Sequence, residues 1–242
     1  MNILITNDDG YDAAGLMAAY RAAKPFGNLH IVAPVTQRSA CSHQITLDEP
    51  MTVKQIEQEP FGRIFVVDGT PADCVRLADE ELVSEKIDLL ISGINAGANA
   101  GVDTFYSGTV AGAREGAIIG IRSIAISQAV RRPLEIDWGK AEEAARLILP
   151  QLLEEELPGP GFFSVNLPLP IPDNIIDNTR RVPVAVAPMP TNFTRRELSD
   201  GRGVEFRYGR GYWDRNAPGD TDYAIIRNGQ IAIAAIPLVG RF

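Results

Sequence analysis

Short apolar runs separated by helical stretches dominate the first half of this chain, and they constrain its fold more than any other feature. Strands are predicted at Asn2–Thr6, Leu29–Ala33, Ile64–Val67, Asp88–Ser92 and Ser123–Ser127. Leu89–Ile91 and Ile124–Ile126 are apolar at every position, whereas a strand with one wet face would alternate. Strands apolar on both sides belong in a parallel sheet covered by helices on each face. Helices are predicted between them, at Ala13–Ala23, Pro71–Ser84 and Thr109–Ile119. The second is well punctuated: Thr70 caps it, Pro71 opens it, Asp73 lies at the third position, and Val75, Ala78 and Leu82 share a face. The expectation is an α/β fold with a Rossmann-like, doubly wound, mostly parallel sheet.

A longer helix is predicted from Trp138 to about Leu157, kinked or broken at Pro150. Strands at Phe162–Asn166 and Val182–Ala187 follow, and the texture changes from Pro188. Thr191–Asp222 is rich in Arg, Gly, Asn and aromatic residues without helical periodicity. Beyond it, Tyr223–Ile226 and Ile231–Ile236 flank Arg227-Asn228-Gly229-Gln230, and Asn-Gly between apolar runs predicts a β-hairpin. The chain therefore divides into a core over 1–187 and a C-terminal extension over 188–242. The extension's hairpin is either a subunit-contacting arm or an ordinary sheet edge.

Net charge −8 argues against broad binding to duplex nucleic acid or to an anionic membrane surface. No apolar run approaches the length needed to span a bilayer, and no leader precedes the first strand, so a cytoplasmic protein is expected. Cys41 and Cys74 have no metal or disulfide spacing, and His30 and His43 are the only histidines. A histidine-built zinc site and a serine–histidine triad are therefore both disfavoured. The chemistry has to come from carboxylates, amides, hydroxyls and backbone.

The first strand stops at Asn7-Asp8-Asp9-Gly10. Open α/β sheets bind ligands at the carboxyl ends of their strands, and adjacent carboxylates repel unless a cation or proton separates them. Asp8 and Asp9 thus suit a hard divalent ion, or else form an Asx-rich turn. Comparable features follow other strands. After the second comes Gln37-Arg38-Ser39-Ala40, where Ser39 offers a hydroxyl and Arg38 a positive charge, or a plain turn. Asp68-Gly69-Thr70-Pro71-Ala72-Asp73 reads as a capped strand-to-helix turn. In Ser92-Gly93-Ile94-Asn95-Ala96-Gly97-Ala98-Asn99, Asn95 can coordinate a metal through its carbonyl and donate to a phosphate through its amide. This is not the G-x-G-x-x-G pattern of dinucleotide loops. Finally, Tyr106-Ser107-Gly108-Thr109-Val110 leads into a small-residue helix whose start is either an anion site or a plain cap. A carboxylate pair, a hydroxyl, an amide and a helix start on one edge are what phosphate-ester hydrolysis needs.

The ordered set Asn7-Asp8-Asp9-Gly10, Arg38-Ser39, Gly69-Thr70-Pro71-Ala72-Asp73-Cys74-Val75, Ser92-Gly93-Ile94-Asn95-x-Gly97-x-Asn99 and Tyr106-Ser107-Gly108-Thr109-Val110 resembles the SurE family (survival protein E) of metal-dependent 5′/3′-nucleotidases. Thr221-Asp222 and Ile236-Pro237-Leu238 extend the resemblance to the end of the chain. It implies a phosphohydrolase acting on nucleoside 5′-monophosphates, with 3′-monophosphates and short polyphosphate as further substrates. It implies catalysis at Asp8 and Asp9, and one divalent ion per subunit, Mg²⁺ or Mn²⁺, on residues matching Asp8, Asp9, Ser39 and Asn95. Phosphate contacts would come from Asn95, Ser107, Gly108 and Thr109, and assembly would be a homodimer or homotetramer. Ala40-Cys41-Ser42-His43 departs from the pattern, since a glycine commonly follows Ser39. The alternative function is a non-catalytic phosphate- or nucleotide-binding sensor, or a switch of the receiver type. The receiver reading lacks a lysine anywhere between Lys86 and Lys140.

Overall fold

A computed structural model describes every residue except 158, 190, 201, 210–212, 214 and 239–242. Several of these exceptions fall inside the 188–242 extension, so that part of the expected arm lies outside the described residues. In chain order the strands are β1 (Asn2–Thr6), β2 (Asn28–Pro34), β3 (Val53–Gln58), β4 (Gly62–Val67), β5 (Leu89–Ala96), β6 (Arg122–Gln128), β7 (Gly161–Leu167), β8 (Thr179–Arg181), β9 (Phe193–Glu197), β10 (Val204–Tyr208) and β11 (Ile231–Pro237). The α-helices are α1 (Ala14–Ala23), α2 (Pro71–Leu77), α3 (Gly108–Ile118), α4 (Trp138–Glu154) and α5 (Asp222–Arg227).

The main sheet has nine strands in the order β3-β4-β2-β1-β5-β6-β7-β11-β8. From β4 to β7 every pairing is parallel, and β3 and β11 run antiparallel to their neighbours β4 and β7. The chain winds outward from β1 through β2 in one direction and from β5 through β7 in the other. The reversal of strand order, where such folds open a crevice, therefore lies between β1 and β5.

Both faces are covered, as the apolar runs require. Ile3, Ile5, Leu89, Ile91, Ile124 and Ile126 join the core under α1 and α4, with Leu16, Ala144 and Ile148. Leu4, Val32 and Leu90 point the other way, against Cys74, Val75 and Ala78. Thr70 and Asp73 form a reciprocal capping box at α2, as the sequence predicts. Pro150 lies inside α4 without ending it.

Three expectations need correction. Tyr223–Ile226 is not a strand but lies within α5, and Asn228-Gly229 ends that helix, with Gly229 at φ +79°. Four consecutive buried apolar residues fit a short buried helix as well as a strand. The extension's hairpin is instead β9–β10, a separate two-stranded sheet. The second run became β11, which sits in the main sheet between β7 and β8, so the chain past residue 188 returns to the core. Val182–Ala187 is not a strand either. Pro183 can donate no ladder hydrogen bond, and Asp222 takes the N–H of Ala185 instead.

Candidate active site at the β1–β5 crevice

The end of β1 delivers Asp8 and Asp9 to the crevice. Asn7 braces the turn by donating from Nδ2 to the carbonyl of Gly10 at 2.8 Å. Asp8 is buried, and its carbonyl accepts the N–H of Arg38 at 2.7 Å. Burial pushes its carboxyl up to about 6, opposed by a hydrogen bond from Thr109 and reinforced by the charge of Asp9. That bond, from Thr109 Oγ1 to Asp8 Oδ1, is 2.5 Å long.

Asp9 is held from two sides. Its Oδ2 accepts the N–H of Ala96 at 3.0 Å, and its Oδ1 accepts Gln37 Nε2 at 3.3 Å. The same Gln37 amide donates to Ser39 Oγ at 2.9 Å, so Gln37 brings the hydroxyl to the carboxylate pair. The register of β5 against β6 shifts between Gly93 and Asn95, at the residues carrying the crevice amide. Asn95 Nδ2 donates to the carbonyl of Gly97 at 2.7 Å, which fixes which end of the amide is its acceptor.

Ser107 caps α3, its Oγ accepting the N–H of Val110 at 3.1 Å. A helix start leaves its first amides without intrahelical acceptors and carries positive partial charge. Gly108 allows that start to touch the carboxylate: a Cβ here would stand 2.9 Å from Asp8 Cβ and 2.9 Å from Cys41 Sγ.

All the residues predicted for the site, Asp8, Asp9, Ser39, Asn95, Ser107, Gly108 and Thr109, thus lie on elements that meet at one crevice. Among the described residues no group of three His, Cys, Asp or Glu side chains is placed to hold a metal. An ion here would have to use the mixed oxygen set of Asp8, Asp9, Ser39 and Asn95. That set suits a hard divalent cation, and a buried Asp8 beside the like-charged, half-buried Asp9 is the kind of site a cation relieves.

Other predicted residues serve the frame. Arg38 pairs with Asp68 at 2.7 Å, and Asn99 donates to Ser127 Oγ at 2.8 Å. The sequence reading gave no role to Gln37, nor to the network around Glu115. This buried carboxylate of α3 binds His43 Nε2 and Arg76 at 2.7 Å each. The network pins the irregular loop after Ser39, where Ala40 and Ser42 both take φ 57°. Ser42 also ties the loop to the Tyr106 and Phe105 carbonyls, at 2.9 and 2.6 Å. A lone histidine with one glutamate far away in sequence carries no spacing signal that would reveal such a pairing.

Comparison with known proteins agrees with this architecture. Residues 3–190 match the family described as "Survival protein SurE". A "5'-nucleotidase SurE" of Heliobacterium modesticaldum is 37% identical over 98% of this chain and 86% of its own. One of Alkalilimnicola ehrlichii is 36% identical over 98% of this chain and 89% of its own. The crystal structure of the SurE protein from Aquifex aeolicus superposes with a TM-score of 0.83 at 31% identity, covering 99% of this chain and 94% of that one.

Proposed function

This chain belongs to the SurE family, and on that premise we propose that it is a metal-dependent nucleotidase releasing phosphate from nucleoside 5′-monophosphates. The observation that carries the reading is the meeting of the Asp8–Asp9 pair with the start of α3 across the β1–β5 crevice. One divalent ion, Mg²⁺ or Mn²⁺, would be held by Asp8, Asp9, Ser39 and Asn95, where it would neutralise charge on the phosphoryl oxygens.

The chain's own groups do the rest. Ser107, Gly108 and Thr109 present the positive end of α3 to the phosphoryl group and stabilise the charge that develops on it. Asn95 adds an amide contact from the opposite wall. Asp9, the more exposed of the two carboxylates, meets incoming water and can take its proton. Gln37 keeps Asp9 and Ser39 in register.

The same site would take 3′-monophosphates and the end of a short polyphosphate, since recognition is centred on a terminal phosphoryl group. The 188–242 extension would build a homodimer or homotetramer. Its β9–β10 ribbon carries exposed Phe193, Phe206 and Tyr208, and two-stranded ribbons are marginal alone. Among the described residues no helix is long and apolar enough to cross a membrane, which supports a cytoplasmic setting.

The test is phosphate release from a panel of nucleoside 5′- and 3′-monophosphates, first with chelator and then with Mn²⁺ or Mg²⁺ restored. Metal-restored turnover that disappears in Asp8→Asn is expected. Folded protein that releases no phosphate under any condition would overturn the reading in favour of a binding role.

A further inference from the structure

On the same sheet edge, beyond the ends of β6 and β7, lies a cavity of about 360 Å³ outside the residue set of the catalytic crevice. That volume is on the scale of small-molecule sites. Its walls combine three chemistries. Arg131 and Arg227 bring two guanidinium groups, Trp213 an indole ring, and Leu169, Pro170 and Ile226 an apolar floor. Among the described residues neither arginine forms an ion pair or a hydrogen bond through its side chain, and both are exposed. In a chain of net charge −8, two such arginines lining one cavity are not the background of a basic surface.

The indole is held in place. Trp213 Nε1 donates to the carbonyl of Val130 at 3.3 Å, next to Arg131, and its ring lies 6.0 Å from that of Tyr223 at an interplanar angle of 30°. Trp213 lines the cavity beside its apolar wall, a surface against which a flat heteroaromatic ring can pack. Guanidinium groups at the rim recognise phosphate through paired charged hydrogen bonds.

We propose that this cavity is a second binding site, specific for a flat heteroaromatic ring bearing a phosphate, the chemistry of a nucleoside monophosphate. Each strand step is about 4.8 Å, so the β6–β7 end lies roughly 10–15 Å from the end of β1, far enough for a second ligand. The site also adjoins elements that hold the catalytic edge. Arg227 ends α5, and the first residue of that helix, Asp222, accepts the N–H of Gly101 at 2.8 Å, ahead of the Ser107 turn.

The experiment uses a Trp138→Phe protein, which leaves Trp213 as the only tryptophan, titrated under chelator. AMP, adenosine and ribose 5-phosphate are compared by fluorescence. A saturable change with AMP is expected, with adenosine and ribose 5-phosphate each weaker by about tenfold or more, the loss expected from one charged or stacking contact. Adding Arg131→Gln and Arg227→Gln together should weaken AMP by at least about tenfold at unchanged melting temperature. Absence of a saturable signal, equal binding of adenosine, binding untouched by the arginine changes, or loss of the signal in Asp8→Asn would each overturn the proposal. The signal is read without metal or turnover, so failure of the nucleotidase assay and failure of this site are independent results.

Discussion

Thr109 Oγ1 donates to Asp8 Oδ1 at 2.5 Å, joining the first turn of α3 to the end of β1 across residues 101 apart in sequence. One hydroxyl thereby sets both the orientation and the proton affinity of the buried carboxylate. Thr109→Val removes it. Under chelator the titration profile of the Asp8 carboxyl, followed by its infrared absorption, should move to higher pH, because Asp8 loses its main pKa-lowering contact. Turnover should fall about tenfold to a hundredfold, the equivalent of one charged hydrogen bond of roughly 1.5–3 kcal/mol. Thr109→Ser should restore both; an unmoved titration profile in the valine variant would contradict this role.

Asp8 also fixes a pH dependence of stability. Its carboxyl is raised from 3.8 to about 6, so on raising the pH the unfolded chain ionises before the folded one. Metal-free protein should therefore lose stability through this group between pH of about 4 and about 6, by up to about 3 kcal/mol, and show no further change above that window. Urea unfolding under chelator, compared between wild type and Asp8→Asn across that range, isolates the contribution. The variant should gain on wild type as pH rises, and a gap that narrows instead would refute the assignment.

Gly108→Ala places a methyl group 2.9 Å from Asp8 Cβ and from Cys41 Sγ. The thiol can be trimmed away, but Asp8 Cβ is fixed to β1. Stability should drop by about 1–3 kcal/mol through overpacking, and kcat/KM should fall at least about tenfold. Adding Cys41→Ala should recover part of the melting temperature and little of the activity. Full recovery of activity would show that the thiol alone was in the way.

Arg215 and Asp103 form a buried pair at 2.6 Å, and the carbonyl of Asp103 accepts the N–H groups of Tyr106 and Ser107 at 2.9 and 3.0 Å. Arg215→Met strands a buried carboxylate and should cost about 3–5 kcal/mol. Because the loop it supports leads into Ser107, phosphate release should fall with it. Arg215→Met combined with Asp103→Leu should restore stability ahead of activity, as thermal melts and initial rates would show.

The central sheet was legible because the apolar runs Leu89–Ile91 and Ile124–Ile126 alternate with helical stretches, which points to a parallel sheet covered on both faces, and the candidate site because it follows strand ends. β3 was missed: Val53–Gln58 carries Lys54, Gln55, Glu57 and Gln58, and its pairing comes entirely from β4. Tyr223–Ile226 misled because tertiary surroundings decide between helix and strand in so short an apolar run. The pairing of Gln37 with Asp9 and Ser39 depends on the loop's path, which local pattern does not encode.

β11 lies between β7 and β8, with Ile233 opposite Val165 and Ala235 opposite Phe163. A ribosome making this chain finishes β7 long before it reaches β11, so on the order of seconds pass during which β7 is an open apolar edge. Such an edge is a template for pairing with other chains. Translation that stops short of residue 231 would release a polypeptide with every catalytic candidate present and its sheet still unsealed. The vulnerability of this protein during synthesis is thus set by β11 and not by the crevice proposed to do its chemistry.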